Sequence, residues 1–114
     1  MTAKLLLGLR QLITAGERTI SCRVEFNALR TFQFGDTLLV IYDWMQFPQK
    51  NSIRNLYAYD AHGERLWIAE ERRPGDFFTG FAGDGQSLKV TTWDCFCCIL
   101  DPKTGKIINC KFVK

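Results

Sequence analysis

Along residues 18–26 the apolar Ile20, Cys22, Val24 and Phe26 alternate with Thr19, Ser21, Arg23 and Glu25. A period of two over this length predicts a half-buried antiparallel strand. Asn27-Ala28 breaks the run, Phe32 and Phe34 share a face, and Gly35-Asp36 turns the chain. From Thr37 to Trp44 the alternation gives way to a continuous apolar run. Leu38, Val40 and Tyr42 lie on one face and Leu39 and Ile41 on the other, which predicts a strand covered on both sides. Residues 45–54 interrupt the pattern with Pro48 and a polar cluster, and read as a loop. Further strands are predicted at 55–59, 64–69, 77–81, 88–93, 96–100 and 107–113, separated by turns at Asp60-Ala-His-Gly63, Gly83-Asp-Gly85 and Asp101-Pro-Lys-Thr-Gly105. The segment 2–16 reads either as a short helix capped by Thr2 or as a strand entering a hairpin at Ala15-Gly16-Glu17.

One pattern occurs twice. An apolar run ends in Asp, a turn ends in Gly, and a polar residue opens the next run. Asp60 and Asp101 stand 41 positions apart, Gly63 and Gly105 42. A period in this range suggests repeated units of antiparallel strands. Tyr57-Ala-Tyr-Asp-Ala-His-Gly-Glu-Arg-Leu-Trp67 and Ile99-Leu-Asp-Pro-Lys-Thr-Gly-Lys-Ile-Ile108 resemble the blade hairpins of pyrroloquinoline-quinone-type and WD-type propellers. Over about residues 32–110 the chain also resembles a group of small bacterial proteins. These share an Asn before the first hairpin (Asn55), a Gly-x-x-x-Trp turn and strand (Gly63 to Trp67) and a closing Asp-Pro-x-Thr-Gly turn. The resemblance implies blade-like units, but the chain holds about two where a closed ring needs four to eight. The quinone cofactor of the namesake enzymes therefore does not carry over, and no cofactor is expected.

At 114 residues the chain is read as a single domain, 1–114, able to build its own core. The expected architecture is all-β: an antiparallel meander of about two blade-like units, packed as a sandwich or a partial barrel. A net charge of +3 is too small to imply nucleic acid. Arg72-Arg73 and the scattered arginines read as a solvated face. Lys4-Leu-Leu-Leu-Gly-Leu-Arg10 is too short and too interrupted for a membrane span or a signal peptide. The expected location is the cytoplasm, with five reduced cysteines.

Candidate chemistry is sparse. Cys95-Phe-Cys-Cys98 with Cys110 does not match the spacing of zinc ligands and reads as small thiols buried in a sheet, so no metal site is expected. The single His62 lies in a turn without a nucleophile motif, and Glu70-Glu71 lies in a connection. Asp43, Asp60, Asp94 and Asp101 each follow a strand and are expected to accept hydrogen bonds from turn N–H groups. Asp84, between two glycines, reads as a turn residue. What remains is aromatic. Trp44, Phe47, Trp93 and Phe96 fall at strand ends near the 45–54 loop, with Arg54, Arg72 and Arg73 available as a rim.

These features predict a non-enzymatic protein-interaction module using Trp44, Phe47, Arg54 and Trp93. One form is an immunity-type or other accessory bacterial protein, with a protein partner or self-association through open strand edges. The alternative is a small-ligand or carbohydrate-binding β domain that uses the same aromatics.

Overall fold

The computed structural model describes residues 10–83 and 85–113. Within them the chain is all-β, three antiparallel sheets with no closed barrel. Strands β1 (Arg10–Ala15) and β2 (Arg18–Arg23) form a hairpin. Strands β3 (Ala28–Phe34), β4 (Thr37–Tyr42), β5 (Leu56–Tyr59) and β6 (Arg65–Ile68) follow as a four-stranded meander. Strands β7 (Phe78–Phe81), β8 (Leu88–Thr92), β9 (Phe96–Leu100) and β10 (Ile107–Phe112) form a second. For the N-terminal segment the strand reading holds over Arg10–Ala15, with Gly16 turning the chain at φ 61°. The rest of that segment, and Asp84, lie outside the described residues. No helix among the described residues is long and apolar enough to cross a membrane.

The β3–β6 sheet is the middle layer, as the two-faced run at 38–42 requires. Leu38, Val40, Tyr42, Tyr57 and Tyr59 meet Ala15, Ile20 and Cys22 of the hairpin, together with Val24 just beyond it. Leu39, Ile41, Leu56, Ala58 and Trp67 meet Phe78, Leu88, Val90, Cys98 and Leu100 of the β7–β10 sheet. Successive side chains of β4 thus enter different cores.

The layers are locked by turns. Asp60 Oδ1 accepts the N–H groups of His62 and Glu64, and Asp101 Oδ1 accepts that of Lys103, as expected of turn aspartates. The hydrogen bond from Glu64, then that from His62, holds the Asp60 carboxyl below the usual carboxylate range despite partial opposition from desolvation. Gly63 lies against the hairpin: a Cβ there would sit 1.8 Å from the Ser21 carbonyl oxygen. Arg10 Nη2 donates to the carbonyls of both Ser21 and His62. Gly105 repeats the arrangement one layer on, where a Cβ would sit 2.3 Å from the Trp67 ring. The Trp67 indole N–H donates to the Pro102 carbonyl at 3.0 Å.

The 45–54 segment is a loop, as expected; it opens with a 3-10 turn at Trp44–Gln46 and sends Phe47 and Ile53 into the core. One expectation is corrected. The cysteines are not all reduced, because Cys98 and Cys110 form a disulfide. They face each other directly across β9 and β10, a partnership that the tight cluster at 95–98 concealed. Cys22, Cys95 and Cys97 remain thiols.

Gly105→Ala drives a methyl into Trp67 at a residue with φ 76° and should cost about 3 kcal/mol or more. Gly35→Ala, at φ 59° with nothing within 4 Å, should cost only about 1 kcal/mol. Urea denaturation of both variants checks the contrast, and equal losses would refute the Gly105–Trp67 lock.

Tyr42 and Tyr59 share a buried hydroxyl–hydroxyl bond. Burial, the larger cause, pushes Tyr42 from 10.0 up to about 12. Burial and then the Tyr42 bond push Tyr59 higher still. Above pH 10 the unfolded chain therefore releases protons that the native state retains, so native stability is complete below that pH and falls between about 10 and 12. A Tyr42→Phe/Tyr59→Phe variant should show a flatter alkaline decline in chemical denaturation midpoints. A decline as steep as that of the parent would show that the pair is not responsible.

Candidate functional site

Three rings form a continuous stack at the end of the molecule where the 44–54 connection meets the β8–β9 turn. Trp44 stacks on Phe77 with centroids 4.7 Å apart and planes 18° apart. Phe77 stacks in turn on Trp93 at 5.7 Å and 15°. Phe77 belongs to the core, Trp44 packs at its edge, and Trp93 is 64 % exposed. Beyond Trp44, Lys50 Nζ lies 5.8 Å from the ring and donates to the Met45 carbonyl at 2.9 Å. Exposed Met45 extends the apolar surface.

The stack rests on an ionic knot in the 70–76 connection. Asp76 is buried; its Oδ1 accepts the N–H groups of Phe77 and Asp94, each at 3.0 Å. Its Oδ2 meets Arg72 Nε at 2.6 Å. Arg72 also reaches Asp94 Oδ2 at 2.7 Å and lies 3.9 Å above the Phe96 ring. Arg73 binds the same Asp94 oxygen at 2.7 Å. Four charges and two backbone donors thus fix residues 93 and 94. The turn closes through Cys95, held at φ 69°, a conformation that β-carbon-bearing residues seldom adopt.

The neighbouring support is Asn55, which is fully buried. Its side chain donates to the carbonyls of Tyr42 and Phe78 and accepts the N–H of Phe78. It bridges the end of the middle sheet to the start of β7, immediately after Phe77.

Of the residues singled out in the sequence, the structure brings together Trp44 and Trp93, through Phe77. Phe47 lies elsewhere: it is buried and stacks on Phe26 at 4.3 Å, because the 3-10 turn points it inward. Arg54 is also separate, donating to the carbonyls of Ile68 and Ala69 at the end of β6. Arg72 is largely buried and ion-paired rather than solvated, Arg73 is ion-paired while staying exposed, and Asp94 receives guanidinium groups rather than turn N–H groups. Phe77 and Asp76 were missed. The signal for Asp76 was present as Arg-Arg-x-x-Asp, a spacing that suits an acid folded back on its own turn.

One open cavity of about 480 Å³ is bordered by Arg54, Glu71 and Lys106, and another of about 280 Å³ by Arg23, Tyr59 and Arg65. Neither is lined by a ring of the stack. No group of three or more His, Cys, Asp or Glu side chains among the described residues could hold a metal ion.

Fold and surface together define an all-β domain of three stacked sheets with an aromatic ladder that rises from the core to an exposed Trp93 on a charged support. Residues 12–112 match the family model described as a domain of unknown function, DUF7957, and the chain belongs to that family. No curated protein and no solved structure matches it.

Asp76→Ala leaves Arg72 facing Asp94 alone and strips two backbone donors of their acceptor. It should destabilise the fold by about 3–5 kcal/mol. Asp94→Ala, at a more exposed position, should cost clearly less. Guanidinium unfolding of the two variants gives the order, and a reversed order would contradict the central place of Asp76.

Proposed function

We propose that this chain is a non-enzymatic protein-interaction module whose partner docks on the Trp44–Phe77–Trp93 ladder. The observation that carries this reading is a large, exposed indole held rigid from below. Trp93 is stacked on a core ring, and its following residue is tied by Asp76, Arg72 and Arg73. Pre-ordered aromatic anchors lose little freedom on binding and supply much of the energy of interfaces. Lys50 and Arg73 flank the ladder, so the matching surface is an apolar recess with an acidic border. The carbohydrate alternative calls for a concave aromatic site, whereas Trp93 stands 64 % exposed. The repeated Asp-turn-Gly hairpins and four-stranded meanders support the likeness to blade-like units. The cytoplasmic reading draws on the three free thiols, while the Cys98–Cys110 bond, of a kind rare in reducing compartments, weighs against it.

The test is a photoreactive phenylalanine derivative at position 93, illuminated in the native cells, with the same group at exposed His62 as control. One discrete crosslinked protein from position 93 only is expected. Trp93→Ala should remain folded, losing about 1 kcal/mol from one ring pair, yet fail to retain that partner. No protein adduct at position 93, or the same adducts from both positions, would reject the reading.

A further inference from the structure

A second site is built where the charged connection after β6 meets the β9–β10 turn. The 480 Å³ cavity there is bordered by Arg54, Glu70, Glu71, Thr104, Gly105 and Lys106, a size suited to a small molecule. Its charges balance, two cationic and two anionic, but they are unequally engaged. Glu70 is occupied, its Oε1 accepting the Ile107 N–H at 2.9 Å. Arg54 uses Nε and Nη2 on the Ala69 and Ile68 carbonyls, which fixes the guanidinium and leaves Nη1 uncommitted. Glu71 Oε2 is buried and has no hydrogen-bond partner. A carboxylate oxygen removed from water without a donor is costly, so the half-buried Glu71 side chain, which borders the cavity, gains by turning this oxygen toward a donor supplied there.

We propose that this cavity binds a small zwitterion of free amino-acid chemistry. The ligand's ammonium group donates to Glu71, and its carboxylate is received by Lys106 and the free edge of Arg54. A cation alone would answer Glu71 but crowd two positive groups, and an anion alone would leave Glu71 unsatisfied. A ligand carrying both charges answers both. The site is ready-made on one side, because Arg54 is already oriented. On the other it is held by Gly105, pressed against Trp67. Ligand binding would therefore bridge the two meanders at the Gly105–Trp67 lock and stabilise the native chain.

The experiment is a set of NMR titrations of the isotope-labelled full chain with glycine, alanine, glutamate and arginine singly, and with propylamine and propionate as single-charge probes. At least one amino acid should shift the amides of Glu71, Thr104 and Lys106 saturably, with a Kd of about 1 mM or tighter. The single-charge probes should bind at least about tenfold more weakly. Glu71→Gln and Lys106→Met should each weaken binding by a similar factor while the amides of β4 keep their positions, showing that the fold persists. Three results would overturn the proposal: no saturable shift with any amino acid, propylamine or propionate binding as tightly as the zwitterion, or a Glu71→Gln variant that binds unchanged.

Discussion

The side-chain amide of Asn55 stands in for a missing stretch of β-ladder between the middle sheet and the β7–β10 sheet. Backbone pairing of β4 with its neighbour ends where the Tyr42 N–H donates to the Asn55 carbonyl, and the next sheet begins at Phe78. Across that gap one buried amide donates to the Tyr42 and Phe78 carbonyls and accepts from the Phe78 N–H. Each bond forms in a dry environment, where an unpaired polar group is expensive. Asn is suited to this place because its amide carries both a donor and an acceptor, as a peptide group does. Phe78 is thereby positioned, Phe77 with it, and through Phe77 the ring stack that reaches the surface at Trp93.

Electrostatics completes what the amide begins. The Asp76–Arg72–Asp94–Arg73 knot adjoins both rings, through Asp76 just before Phe77 and Asp94 just after Trp93, although the two rings are far apart in sequence. It converts a charged surface connection into a clamp between the entry of β7 and the β8–β9 turn. A ring stack without the clamp would still bury Phe77, but Trp93 would be free to swing. The exposed indole and its anchoring charges are thus one structural unit, assembled from three connections rather than from any strand.

The strand layout was legible because it depends on local rules. The two-faced run at Leu38–Tyr42 announced a covered strand, and the Asp-turn-Gly pairs at 60–63 and 101–105 announced the hairpins. What the sequence concealed depends on distant partners. Phe47 looks like a loop aromatic until the 3-10 turn at Trp44 directs it to Phe26. Arg72 looks solvated until Asp76 and Asp94 converge on it. Cys98 looks like one of a cluster until antiparallel register brings Cys110 opposite. Trp44 and Trp93 were picked out, but the ring that joins them, Phe77, reads locally as a strand residue.

The middle strand β4 has a further consequence. Strand register is normally encoded by polarity, since a shift of one residue would expose the apolar side and bury the polar one. In β4 that code is blank, for Leu38, Leu39, Val40, Ile41 and Tyr42 are all buried. Sliding the strand by one position would exchange one set of apolar side chains for another. The information that selects the native alignment resides in the few polar atoms at its end. The Tyr42 hydroxyl must meet Tyr59, and the Tyr42 carbonyl must meet Asn55. These atoms act as an index mark on a scale that otherwise has no numbers.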